Sequence, residues 1–448
     1  MTTTPGRRRT TVTPGRRGTL RTYRDVVGLT GPWLPVLSFL GRLPTATIQF
    51  GSVLLVARTS GSLAAAGLTG GALALGQVAC GPLVGRLADR HGQRTVVLVL
   101  SLANAAAIAA LVAGALAGPG APPLAALGAG AGATVPLVGP LARTRLVALA
   151  RGSGAPESTV GAALSFESTL DEISFVLGPA LVGLASVLAH PAYALGAAAL
   201  LVGVCGAGFA LHPTAAATRR AAGPRPGRGD ARSPSGPRSL ARAHRPRMPR
   251  CVHALRAASA LQGAMFGACQ AGITAFTRRL GEEDQAGLVY AAMGVMSAVA
   301  GLSTAALPAR FGLRARWRVA TAAAFALSLP LLLTHTLTGL YLVVTVLGAA
   351  YAPHLVTVFG LTERAVPPAR LAEAMAYATS AIVAGQALAV AVCGRLAGAH
   401  GPGAAFAAAS AAAALAAAIA LTARPTAYAT PRSRAATRAV EAPSDCGR

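Results

Sequence analysis

Residues 81–98 read GPLVGRLADRHGQRTVVL, and long apolar stretches lie on either side of them. Within the run, Gly85, Asp89, Arg90, Gly92 and Arg94 stand in the pattern G-x-x-x-D-R-x-G-x-R. Each residue has a physical task in a short turn between two membrane-crossing helices. Gly85 lets a second helix approach closely, Asp89 is an acid at a helix end, and Gly92 permits the tight turn. Arg90 and Arg94 suit the anionic headgroup layer or neighbouring helix ends. A loop selected only for positive charge explains the arginines, but not the aspartate and both glycines.

Composition agrees with a membrane setting. The chain has 448 residues, 53% hydrophobic and 12% charged, about half the charge of an average globular domain. Its mean hydropathy is +0.55. The formal charge of +26 comes from 40 basic residues, all arginine, and these lie in tails and inter-helix loops. No basic face of a folded domain is implied, and no nucleic-acid partner is expected. The absence of lysine beside abundant Ala and Gly suggests GC-rich coding, which weakens any argument from arginine number alone. The six cysteines are scattered without zinc or disulfide spacing, so no metal is expected. Arg7-Arg8-Arg9 and Arg16-Arg17 precede the first apolar run without a small-residue cleavage site after it. A retained tail is expected there, not an export signal.

About twelve apolar segments of membrane-spanning length follow, the first over 32–56, the fourth over 122–142, the seventh over 252–276 and the last over 403–422. Arginines cluster in alternate connections: 7–24, 86–94, 143–151, 310–318, 364–370 and 424–438. The other connections hold little beyond Arg58, His190, His335, His400 and the acidic run Glu282-Glu283-Asp284. The positive-inside rule then predicts cytoplasmic termini. Residues 213–250, rich in Pro, Gly, Ser and Arg, cannot bury a core and read as a disordered basic linker. The expected organisation is a basic tail over 1–31, a six-helix unit over 32–212, the linker, a second six-helix unit over 251–422 and a tail over 423–448.

The 85–94 pattern resembles motif A of the major facilitator superfamily of secondary transporters. That resemblance implies an all-α membrane protein of two six-helix bundles related by a pseudo-two-fold axis, each built from inverted three-helix repeats. It also implies alternating access, with the motif as a conformational latch. The loop LPARFGLRARWR at 307–318 looks like a decayed second copy, in which Arg310, Gly312 and Arg314 align with Arg90, Gly92 and Arg94, and Ala309 replaces the acid. On the fifth segment, Ser174-x-x-x-Gly178-Pro179-x-x-Val182-Gly183 partly matches a pattern of antiporters in this superfamily, with Ser174 and Val182 departing from it. Gly178 and Pro179 are candidate hinge residues, because Gly-Pro frees a carbonyl and bends a helix.

Charges inside apolar segments point to mechanism, since one near the bilayer centre costs about 2.5–3.5 kcal/mol even on insertion scales. Arg42 lies within the first segment, and Glu167, Asp171 and Glu172 lie within the fifth; Glu363 and Glu373 flank the tenth-to-eleventh connection. Helices one and five are neighbours in the superfamily, so Arg42 is expected to pair with Asp171 or Glu172. Glu167 and Asp171 share a face, and Glu172 is turned about 100° away. Two roles stay open: a structural ion pair, or a protonatable coupling site.

Gln49, Gln77, Asn104, Gln262, Gln270, Tyr351, His354 and Gln386 are candidates to line a central cavity or to hydrogen-bond between helices. His354 is the one whose ring titrates near neutral pH when unperturbed. Gly128-Ala-Gly130-Ala-Gly132 has no preceding strand, so it reads as helix packing, not a dinucleotide loop. No nucleotide-binding motif is present, no cofactor is expected, and the energy source implied is a proton gradient. The reading is a non-enzymatic, monomeric carrier in a bacterial plasma membrane, exporting a small organic solute. Import is the alternative, and a non-transporting sensor or scaffold is a third reading.

Overall fold

A computed structural model describes residues 16–118, 120–218, 248–282, 285–308 and 311–423. Most of the linker, the outermost arginine runs, residues 283–284, and Ala309 and Arg310 of the second loop lie outside the described residues. The elements are α1 (Arg16–Thr30), α2 (Trp33–Ser60), α3 (Leu63–His91), α4 (Gln93–Ala117), α5 (Ala121–Ala133), α6 (Val138–Gly152), α7 (Glu157–Leu188), α8 (Pro191–Leu201) and α9 (Ala207–Leu211). They continue with α10 (Cys251–Arg279), α11 (Gln285–Ser303), α12 (Leu313–Ser328), α13 (Leu337–Ala365), α14 (Leu371–His400) and α15 (Pro402–Thr422). Every described element is helical, and eleven spans are long and apolar enough to cross a membrane. The seventh crossing, α10, is 29 residues long but is interrupted by His253, Arg256, Gln262 and Gln270.

The helices form two six-helix bundles. One core joins α2, α3, α4, α5 and α8 around Ile48, Leu55, Ile108 and Leu111; the other joins α10 to α15 around Cys269, Val344, Leu347 and Phe406. Apolar burial does not drive helices together in lipid, so close backbone approach has to. A β-carbon on Gly132 of α5 would lie 1.9 Å from the Leu73 carbonyl of α3, and one on Gly348 of α13 would lie 2.3 Å from the Met293 carbonyl of α11. These are equivalent crossings in the two halves. Gly128 also abuts α3 at Thr69, so two of the three glycines in the run serve packing.

Two departures from the sequence reading matter. The fourth crossing is not one helix ending at 142. It breaks after Ala133, passes through an irregular turn in which Leu137 takes a positive φ of 49°, and resumes as α6 to Gly152. Pro136 removes a donor at the break. A bulky residue in that backbone region costs roughly 1–2 kcal/mol, tolerated here because Leu137 is buried between the halves. The continuation draws Arg143 and Arg145, read as loop residues, into the bundle, where both are buried.

The second departure concerns the tail: residues 16–30 form α1, whose Val26 is buried against Leu146, Ala162 and Ala163. Tyr23 donates to the Leu302 carbonyl of α11 at 2.7 Å, which ties α1 to the second half. Burial pushes its phenol up to about 12, so it stays a donor at physiological pH.

Candidate functional site

At the end of the bundle where α3 stops, Gly92 closes one helix and opens the next with a φ of 87°, a conformation that favours glycine. Asp89 then faces the start of α14, in the other half. Its carboxylate accepts from the Ala372 N–H at 3.2 Å and the Glu373 N–H at 2.9 Å. An acid at a helix N-terminus satisfies free donors and complements the dipole. Gly85 lies one turn back, where a β-carbon would stand 2.6 Å from the Ala372 carbonyl oxygen and 2.9 Å from the Glu373 α-carbon. Arg90 and Arg94 are exposed.

The same end carries the ion pairs that join the two halves among the described residues. Arg86 reaches Glu373 at 3.0 Å, Arg151 reaches Glu363 at 2.7 Å, and Arg364 reaches Glu157 at 3.0 Å. Glu373 is fully buried and is also held by Arg370. In the second loop, Arg316 turns inward and donates to the carbonyls of Phe311 and Leu307, at 2.7 and 3.0 Å. The turn is therefore held by its own arginine, and the 157–364 and 151–363 pairs link the halves beside it. The variant Arg151→Glu should loosen this closure, and Arg151→Glu with Glu363→Arg should restore it. Maleimide labelling of an Ala148→Cys reporter in a background lacking the native cysteines reads the effect; equal labelling in all three proteins would remove the pair from the closure.

Deeper in the first half, Arg42 uses all of its donors. Its Nε donates to the Ser38 carbonyl at 3.1 Å. Nη1 donates to the Glu167 carbonyl at 2.9 Å and to Asp171 Oδ1 at 2.7 Å, and Nη2 serves Ser38 Oγ and Glu167 Oε2. Arg42 thus meets Asp171, as expected, together with Glu167. It does not meet Glu172, which is buried on another face of α7 against Ser297 of α11. Asp171 holds a second guanidinium, that of Arg143 on α6. Arg143 lies 3.9 Å over the Phe359 ring of α13 and so reaches the other half. Arg145, on the opposite side of α6, stacks on Phe209 at 3.8 Å and donates to Gln93 at 2.9 Å. Apolar residues at helical spacing around them, Leu141, Ala142, Leu146 and Val147, are the sequence signal that could place both arginines in a span.

The remaining candidates fall inside single halves. Gln49 donates to Gln77 at 2.9 Å between α2 and α3. Asn104 donates to the Ala131 carbonyl at 2.7 Å and to Thr134 at 3.0 Å, which secures the edge of the break in the fourth crossing. His354 pairs through Nδ1 with Gln262, and Tyr351 donates to Cys269 Sγ at 3.5 Å. Gln270 and Gln386 are half-buried, the latter where its carbonyl faces Gly267. Gly178 meets α2 at Ala46 and Thr47, and Pro179 follows inside α7. Cavities of about 410 and 910 Å³ lie nearer the motif end and do not include Arg42, Arg143, Asp171 or Glu172 in their walls.

Two helical bundles clasped at one end, with a buried ionic network beside their interface, define a membrane transporter of the secondary type, not an enzyme. The chain belongs to the Major Facilitator Superfamily, whose family pattern matches residues 36–347 and 273–445. No curated protein sequence matches it. Among solved structures it is similar to the human organic anion transporter MFSD10 (TETRAN), at 19% identity over 89% of this chain and 99% of that one, with a TM-score of 0.62. It is similar to a bacterial homologue of the iron transporter ferroportin in an outward-facing state, at 15% identity, 87% and 98% coverage and a TM-score of 0.65. It is also similar to FucP in the outward conformation, at 18% identity, 89% and 100% coverage and a TM-score of 0.55. At these identities the likeness concerns the fold alone.

Proposed function

We propose that this chain is a proton-coupled exporter of a small organic solute, working by alternating access as a monomer in a bacterial plasma membrane. The arginine-rich motif end is cytoplasmic, as are both termini. The conformation described is then closed to the cytoplasm, with motif A as its latch. The observation that carries the coupling is Glu172. Arg42 and Arg143 are engaged by Glu167 and Asp171, and this leaves Glu172 against a hydroxyl on the other half. Ser297 Oγ accepts from the Ala352 N–H at 3.1 Å. A hydroxyl serves either form of a carboxyl, donating to the carboxylate or accepting from the acid. In this reading Glu172 is the group that takes up the coupling proton where the halves part. Export, not import, is favoured by the partial antiporter pattern around Gly178 and Pro179.

The test is an untargeted comparison of solutes inside and outside host cells expressing the wild type or Glu172→Gln, with and without a proton uncoupler. A compound depleted inside only by energised wild type is the expected result. Depletion that persists with uncoupler or with Glu172→Gln overturns the coupling, and accumulation overturns export. No difference at all favours the non-transporting reading.

A further inference from the structure

The break in the fourth crossing starts a new helix inside the membrane. The first turn of α6 contains Gly139, and a β-carbon there would lie 2.8 Å from Asp171 Oδ1. The Asp171 carboxylate thus sits beside the positive end of the α6 dipole, where no side chain caps the helix. Discontinuous membrane helices recurrently aim such ends at anionic groups.

A second observation points the same way. Arg143 lies on the next turn of α6, with its side chain 1% exposed, and engages Asp171 through Nη2. Its Nε and Nη1 have no hydrogen-bond partner among the described residues. The Phe359 ring covers the flat face of the guanidinium, but ring contact does not satisfy N–H groups that point outward in its plane. Arg42 differs, because every one of its nitrogens is engaged. One buried arginine is therefore saturated and structural, and the other has spare donors between the two halves. The Asp171 side chain is 23% exposed, the most open member of the network, so it has room to give way.

We infer that the first turn of α6 and Arg143 form an oxyanion-binding subsite, in which Asp171 is the resident occupant that a carboxylate or phosphate group of the transported solute displaces. This rests on the transporter reading and names the solute class: an organic anion. A planar guanidinium presents two parallel N–H groups to such an oxyanion and gives a stronger, more directional contact than a neutral donor. Displaced from Arg143, Asp171 keeps Arg42.

The experiment is equilibrium dialysis of the purified full-length chain against an equimolar mixture of benzoate, phenyl phosphate, benzamide and benzylamine. Retention of benzoate or phenyl phosphate over the neutral and cationic analogues is expected, and which of the two is held tells carboxylate from phosphate. Arg143→Gln should weaken that retention roughly tenfold or more, Arg143→Lys should weaken it less, and Asp171→Asn should strengthen it by removing the competitor. A purely structural Arg143 predicts no gain in Asp171→Asn. Preference for benzamide or benzylamine, retention of no anion, or equal retention by Arg143→Gln each overturns the subsite. None of these outcomes bears on whether cells expressing the protein move a solute, which the uncoupler experiment decides separately.

Discussion

Gly85→Leu is expected to abolish transport while the protein still inserts and folds. The α-carbon of residue 85 faces the backbone of α14, with a carbonyl oxygen 2.6 Å from where a β-carbon would begin. Backbone at a helix crossing cannot rotate aside, so the side chain has to push α3 and α14 apart. Overpacking of this kind costs about 1–3 kcal/mol, which converts to roughly a 5- to 150-fold shift away from the closed state. The cost falls on the closed arrangement alone, because α3 and α14 belong to different halves. Asp89→Asn should act in the same direction with a smaller effect. An amide oxygen still accepts from one of the two N–H groups, but the charge that complements the helix dipole is lost. Solute transport, together with maleimide labelling of Ala148→Cys, is the paired measurement: transport falls and labelling rises. Normal transport by Gly85→Leu would mean that this crossing does not form during the cycle.

Arg42→Gln should be the most destabilising single substitution in the first half. Arg42 is 4% exposed and holds two carboxylates, two carbonyls and a hydroxyl at once. Removing one partner from a buried pair leaves the other charge uncompensated, typically about 3–5 kcal/mol. Arg42→Gln with Glu167→Gln removes one charge of each sign and should recover most of that loss, since Asp171 keeps Arg143. Thermal unfolding of the detergent-purified chain reads both variants. A double variant no more stable than Arg42→Gln alone would show that shape, not charge balance, is what Arg42 supplies.

The parts of the site legible in the sequence were those whose chemistry is local. Asp89, Gly85 and Gly92 announced themselves by spacing, because a tight turn, a helix-end acid and a close approach each restrict residue type within a few positions. Arg42 and the acids of α7 announced themselves by cost, since charge in an apolar segment requires a partner. Glu363 and Glu373 were visible for the same reason, yet their partners Arg151 and Arg86 lie more than 200 residues away. No local pattern names a partner at that distance. The sequence left Asp171 and Glu172 open as partners of Arg42, because a helical turn of about 100° decides which helix a side chain faces, and the neighbours on each side come from different halves.

Arg143 and Arg145 show where hydropathy misleads. Basic residues at the end of an apolar run read as a loop, and only the approach of α4, α7, α9 and α13 to α6 makes their burial affordable through Gln93, Asp171, Phe209 and Phe359. The break at 134–137 was likewise hidden. Pro136 and Pro140 permit an interruption, but nothing in the local sequence specifies the positive φ of the buried Leu137.

By itself the sequence determined the membrane setting and the helical two-bundle fold, since both follow from apolar length and motif spacing read over many residues. The tertiary structure alone decided which charges share a partner, which arginine is saturated and which has donors to spare. Those outcomes depend on separations of a few ångströms between segments remote in the chain, where hydrogen bonds and ion pairs are either made or missed.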